Sequence, residues 1–289
     1  MTKPYQPVII IGAPRSGTNM LRDVLLEIDG VCSWPCDEIN YIWRHGNVRY
    51  PSDEIPAERA TESVRRYIRA QFDKAAKNFG GDVVLEKTCA NALRCDFVDA
   101  VVPDAKYIVI CRDGFDAVAS ARHRWTAELD IPYLLKKLRY VPVSDLPYYG
   151  SRYLFNRLYL LFSRQKRLAY WGPALDDMNT LSANYSLTEI CALQWQRCVQ
   201  KSLGYLDGLP KGRVSKVRYE DFVSDPATHV QELAAFMGKS LTPEQAATIT
   251  RRVSGRSVGK ARAELSPEDL GKCRALISET LTRLGYKNA

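Results

Sequence analysis

From residue 8 to residue 21 the chain reads VIIIGAPRSGTNML, a β-branched run of four residues that stops at a glycine. Apolar runs without alternation belong to strands covered on both faces of a parallel sheet. Gly12 and Gly17 stand five positions apart, and Leu21, Val24, Leu25 and Ile28 then recur at helical spacing. This strand, glycine loop and helix constrain the fold most, because a parallel strand demands a crossover and a covering layer. DVVLEKT (82–88) and AKYIVICRD (105–113) read as further strands, with a fourth around 214–219, and FDAVASARHRW after the third reads as a helix. The expected fold class is therefore α/β: a P-loop-like three-layer α/β/α with a central parallel sheet.

Punctuation supports the later helices. Ser186 with Glu189 has the form of a capping box, and Thr242-Pro243 and Ser266-Pro267 each place a cap residue before a first-turn proline. After Ser266, residues Leu270, Cys273, Leu276, Ile277, Leu281 and Leu284 form one apolar stripe that Gly285 ends. The 289 residues are expected to form a single domain, 1–289, with 126–185 as a helical and loop insert over the ligand edge.

Composition excludes some classes and points to others. No apolar run reaches the roughly 18 residues of a membrane span. The apolar run in the opening MTKPYQPVIIIG is too short for a signal peptide, so the expected location is cytoplasmic. Among the eight cysteines, Cys32 and Cys36, Cys89 and Cys95, and Cys191 and Cys198 are spaced unlike metal or redox pairs, which favours reduced thiols and no metal site. The net charge is +8, and Lys136, Lys137, Arg139, Arg152, Arg157, Arg164, Lys166 and Arg167 stand against Asp145 alone between 133 and 171. That segment also holds seven tyrosines. It suits an acidic or planar partner, or a solvated helical face with a tyrosine-rich core side.

A glycine-rich turn opening a helix aims backbone N–H groups and the helix dipole at one spot, which suits an anion. Here Pro14, Arg15, Ser16, Gly17, Thr18 and Asn19 form the turn, with Arg15 adding a charged fork and Ser16, Thr18 and Asn19 adding donors. A nucleoside triphosphate loop would place Lys and then Ser or Thr where this chain has Thr18 and Asn19. That departure disfavours a triphosphate and its magnesium.

GAPRSGTNML resembles the 5′-phosphosulfate loop of the sulfotransferases, GxPRSGTxxL, and VICRDGFDAVAS resembles their second element, a strand followed by R-D-x-x-D-x-x-x-S. The two elements lie about one hundred residues apart, each after a β-run. The resemblance spans residues 8 to about 286 and implies 3′-phosphoadenosine 5′-phosphosulfate (PAPS) as cofactor, adenosine 3′,5′-bisphosphate as product and no metal. It assigns Arg112 and Ser120 to the 3′-phosphate, and the residues of the Gly loop to the 5′ end. LEKT resembles the segment carrying a lysine near the sulfuryl group, which implies Lys87. RYEDFVSDP resembles a late family motif. SVGKARAEL resembles the C-terminal nucleotide-contacting loop, implying Lys260 or Arg262, although Ala261 replaces the family's aromatic.

Catalysis then needs a base and cations near the leaving phosphate oxygen. Arg15 and Lys87 are the cations. Cys36-Asp37-Glu38 resembles the context in which tyrosylprotein and glycan sulfotransferases carry a glutamate base, so the resemblance implies Glu38. Asp37, His45 and His123 stay open as bases, and a helix cap for INYIW is the structural alternative for Glu38. Trp34, Tyr41, Trp43 and Arg44 are expected to line the cleft. DEINYIWRHGN also looks like bacterial sulfotransferases of surface polysaccharides. The expected partner is a hydroxyl-bearing acceptor, a glycan ahead of a tyrosine peptide or a small phenol or alcohol, and no nucleic acid. Peripheral contact with an anionic membrane and a homodimer stay open, as do two rival classes: a nucleotide kinase, and a basic anion-binding protein without catalysis.

Overall fold

The computed structural model describes residues 5–125, 140–151, 154 and 171–286. Its sheet has five parallel strands: β1 (Gln6–Ile11), β2 (Val31–Cys32), β3 (Val83–Lys87), β4 (Lys106–Cys111) and β5 (Val214–Arg218). Their order is β2-β3-β1-β4-β5, which puts the strand before the glycine loop at the centre. Ile10 lies opposite Lys87 on one side and Ile108 on the other, so β3 and β4 end beside the loop.

Helices cover both faces. In chain order they are α1 (Thr18–Leu25), α2 (Asn40–Trp43), α3 (Glu62–Phe79), α4 (Cys95–Val101), α5 (Gly114–Trp125) and α6 (Met178–Asn184). There follow α7 (Leu187–Leu206), α8 (Tyr219–Ser224), α9 (Pro226–Met237), α10 (Pro243–Thr250), α11 (Ala261–Glu264) and α12 (Pro267–Arg283). Ile9 and Ile11 of β1 enter one core with residues of α3, α4, α5, α7 and α12, whereas Val8 and Ile10 enter a second with residues of α1 and α9. A strand whose every side chain must be buried is what the uninterrupted apolar run encodes.

The expected caps are present. Ser186 and Glu189 close a reciprocal capping box, Thr242 does so with Gln245, and the Ser266 side chain accepts from the Asp269 N–H. The two-residue edge strand β2 and the 18-residue α3 have no counterpart among the expected elements. All eight cysteines are free thiols. Among the described residues no helix is long and apolar enough to cross a membrane. The basic residues of 133–171 lie outside the described residues, as does most of the expected insert 126–185; within its described part, Trp171 to Pro173 line the cleft.

Candidate active site

The loop between β1 and α1 sits in a conformation its glycines make possible. Gly17 has φ +89°, and a Cβ there would fall 2.5 Å from the Tyr219 ring. Arg15 also takes a left-handed φ of 68°, the only non-glycine among the described residues to do so. Such a conformation costs on the order of 1–3 kcal/mol and persists where surrounding contacts impose it. Gly17→Ala is accordingly expected to lower the unfolding free energy by about 1–3 kcal/mol. Chemical denaturation checks this against Gly204→Ala in α7, where an added Cβ meets nothing within 4 Å.

Arg112 ties this loop to two other segments. It leaves the end of β4, donates from Nη1 to the Arg15 carbonyl at 3.0 Å and from Nη2 to the Ser257 carbonyl at 2.6 Å. Its guanidinium also stacks 4.5 Å from the centre of the Tyr219 ring. One helical stretch further on, Ser120 Oγ accepts from Arg15 Nε at 2.9 Å. The two expected phosphate elements therefore meet in one cleft of about 470 Å³, whose lining includes Pro14, Arg15, Gly17, Thr18, Asn19, Arg112 and Ser120.

The catalytic candidates lie in the same cleft. Lys87 Nζ donates to Glu38 Oε1 at 3.0 Å, and the Cys89 N–H donates to the same oxygen at 3.3 Å. The Lys87 side chain is 2% exposed and that of Glu38 29%, so the carboxylate is the more accessible partner. Burial penalises the Lys87 ammonium, yet the neighbouring Glu38 carboxylate, which accepts from it, helps hold the group above its ordinary value. Burial, with Glu38 beside it, pushes the Cys89 thiol up to about 12, which leaves it protonated at neutral pH.

A buried polar network fixes the segment around Glu38. Thr88 Oγ1 donates to Glu86 Oε1 at 2.5 Å and accepts from the Ile39 N–H at 3.2 Å. Asn91 Nδ2 donates to Glu86 Oε2, its Oδ1 accepts from Arg94, and Arg94 donates to Asn40 Oδ1. Residues 38 to 40 are thus gripped from both sides by strand β3 and the turn after it. Burial raises the Glu86 carboxyl from 4.5 to about 7. A carboxyl raised in the folded state binds more protons there than in the unfolded chain, so its contribution to stability is present near pH 4.5 and lost as pH rises towards 7. Glu86→Gln is expected to remove that loss, on the order of 3 kcal/mol across this window. Melting curves of both proteins from pH 5 to 8 check it, the wild type falling relative to the variant.

Several expected residues sit elsewhere. Trp34 and Trp43 are core residues that pack edge-on against Phe72, and the Arg44 side chain is buried against Asp53 at 2.9 Å. Neither these three nor Tyr41 line the cleft. His45 is turned to Asp145 at 2.9 Å and His123 to Glu264 at 3.3 Å, and neither lines the cleft. Glu38 does not cap α2, whose N-cap Ile39 has no side-chain cap bond. Ser16 is buried without lining the cleft, and its Oγ has no partner. Lys260 is exposed and outside the lining because Asp116 accepts from the Gly259 and Ala261 N–H groups on either side of it. The Arg262 side chain lies outside the described residues.

Other residues enter the site without having been expected. Asp116 anchors the C-terminal segment to α5, and Ser257 of that segment lines the cleft. Asp116 was visible as the second acid of R-D-x-x-D, and Tyr219 as the aromatic of RYED. Asn40, Asp53, Arg124 and Trp171 also line the cleft and carry no spacing signal. Among the described residues no three His, Cys, Asp or Glu side chains group as a metal site.

Comparison with known proteins agrees with this geometry. A family model described as "Sulfotransferase family" matches residues 7–141, and one described as "Sulfotransferase domain" matches 97–266, more than half of the chain. No curated protein sequence matches. Among solved structures, the sulfotransferase domain from the curacin biosynthetic pathway is similar at TM-score 0.55 and 14% identity over 98% of each chain. Sulfotransferase STF9 from Mycobacterium avium has TM-score 0.54 and 12% identity over 99% of this chain and 78% of its own. Mouse SULT7A1, complexed with PAP, has TM-score 0.52 and 14% identity over 97% of this chain and 86% of its own. At these identities the structural likeness carries the fold alone. The domain model covers more than half of the chain, and the family model takes in β1 to β4 with both phosphate elements, so the chain belongs to the sulfotransferase family, enzymes that move sulfuryl groups.

Proposed function

We propose that this cleft transfers a sulfuryl group from PAPS to a carbohydrate hydroxyl, with Glu38 as general base and Lys87 and Arg15 as the cations at the reacting end. The observation that carries this reading is the Lys87–Glu38 pair, 3.0 Å apart, in the same cleft as the glycine loop, Arg112 and Ser120.

The residues present fit the nucleotide. Arg112 lines the cleft, and its Nε is a buried polar atom with no partner. Burial, and next the nearness of Arg124 and Arg112, lowers the Arg15 guanidinium. Pro14, Arg15, Ser16, Gly17, Thr18 and Asn19 would hold the 5′ end, and Arg112 and Ser120 the 3′-phosphate. Lys260 and Arg262 belong to the segment that Asp116 secures at its edge. When bound, PAPS supplies the sulfuryl group and departs as adenosine 3′,5′-bisphosphate.

Glu38 accepts the proton of the acceptor hydroxyl. Lys87 donates to that carboxylate and orients it, and its own charge offsets negative charge on the leaving oxygen. Such a positioned base is worth about 10²–10⁴ in rate. Asp37, Asn40, Asp53 and Trp171 also line the cleft, and we read this mixture of polar groups and an aromatic ring as better suited to a sugar ring than to an apolar phenol.

The test is transfer of labelled sulfate from PAPS to an array of glycans, tyrosine peptides and phenols, with and without EDTA. Labelled glycan with undiminished turnover in EDTA supports the reading. Transfer to phenols or peptides alone moves the acceptor class, and a strict magnesium requirement would revive a kinase-like nucleotide chemistry.

A further inference from the structure

We infer that Arg124 is a third guanidinium of the nucleotide site, closing the 3′-phosphate pocket from the far side of Ser120; this rests on the nucleotide reading above. Ser120 and Arg124 are four residues apart on α5, which places them on one face about 6 Å apart along the axis. Both line the cleft, and Ser120 Oγ is already the acceptor for Arg15 Nε. Arg15, Ser120 and Arg124 therefore form one patch, with Arg112 joined to it through the Arg15 carbonyl. The nearness of Arg124 weighs more on Arg15 than that of Arg112 does.

Among the described residues, carboxylates do not balance the charges at this end. Arg112 has Asp116 at 3.6 Å, but among the described residues no carboxylate pairs with Arg15 or Arg124. The cleft's acids are committed elsewhere: Asp37 to Arg22 at 3.2 Å, Glu38 to Lys87 at 3.0 Å, and Asp53 to Arg44 at 2.9 Å. Like charges gathered in a cleft repel one another unless an anion of comparable charge joins them. A phosphate monoester, close to a dianion at neutral pH, meets that demand. The position also complements the C-terminal segment, where Ala261 stands in place of an aromatic and Lys260 lies outside the cleft lining.

The experiment is calorimetric titration of adenosine 3′,5′-bisphosphate and of 5′-AMP into the wild type, Arg124→Ala, Arg124→Lys and Arg112→Ala. Loss of one charge-assisted contact corresponds to about 10- to 100-fold in affinity. Arg124→Ala is expected to lose that much for the bisphosphate while 5′-AMP binding stays within about twofold, and Arg124→Lys is expected to recover part. Arg124 is exposed, so the variant should melt with the wild type, and the melt serves as the folding control. Unchanged bisphosphate affinity, an equal loss for both nucleotides, or a change confined to acceptor KM would each overturn the assignment. If Arg124→Ala is silent while Arg112→Ala erases the preference for the bisphosphate, only Arg124 is misplaced. If the wild type shows no such preference, the nucleotide reading falls with it.

Discussion

Glu38→Gln should turn over at least about a hundredfold more slowly than the wild type while binding adenosine 3′,5′-bisphosphate equally well. The amide oxygen can still accept from Lys87 Nζ and from the Cys89 N–H, which hold the carboxylate at 3.0 and 3.3 Å. Residues 39 and 40 keep their separate anchors to Thr88 and Arg94. What the variant loses is the capacity to take a proton, so kcat falls and nucleotide affinity does not. Asp37 is the informative comparison, since it lines the same cleft and is paired with Arg22 at 3.2 Å. Asp37→Asn should retain turnover within a few-fold. Steady-state transfer rates for both variants decide the matter, and a Glu38→Gln enzyme with near-normal kcat would move the base elsewhere.

Arg112→Ala should abolish most of the rise in melting temperature that adenosine 3′,5′-bisphosphate gives the wild type. Arg112 does more than face the ligand. Its two Nη donors tie the Arg15 carbonyl to the Ser257 carbonyl, and its plane covers Tyr219. Removing it frees the loop and the C-terminal segment together and leaves the buried Asp116 without its cation at 3.6 Å. Breaking a buried pair from one side costs about 3–5 kcal/mol, so the ligand-free protein should also melt lower. Arg112→Lys separates the two effects, because an ammonium keeps the charge but cannot span two carbonyls as a planar fork does. Thermal shift with and without the bisphosphate reads both, and a full ligand-induced rise in Arg112→Ala would remove this residue from the phosphate site.

How much of this was legible depended on how local the signal was. The loop is marked by its β-run and glycine spacing, whereas the R-D-x-x-D-x-x-x-S element and Lys87 were legible only as consecutive residues that resemble the motifs of a family. The short strand β2 pairs only Val31 and Cys32 with Val83 and Val84, too little for any period to show. Helix α3 did carry signals, with Thr61 as N-cap, Val64, Ile68, Phe72 and Ala75 buried at helical spacing, and Gly80 at φ 69°. Its basic surface and internal aromatics obscured them. The aromatic cluster of residues 34 to 43 looked like a binding wall, and most of it proved to be core. The difference lies with Phe72, a partner 29 to 38 residues distant that no local pattern reveals. Asp116 belonged to a readable motif, but its task of holding Gly259 and Ala261 exists only once the chain has folded.

Titration calorimetry of the wild-type chain with adenosine 3′,5′-bisphosphate, 5′-AMP and 3′-AMP bears most directly on the claim that the glycine loop and the Arg112–Ser120 element grip opposite ends of one nucleotide. The account requires the doubly phosphorylated ligand to bind at least about tenfold more tightly than either monophosphate, the gain of one further charge-assisted contact. Equal affinities for the bisphosphate and 5′-AMP would mean that the two elements do not act on the same molecule.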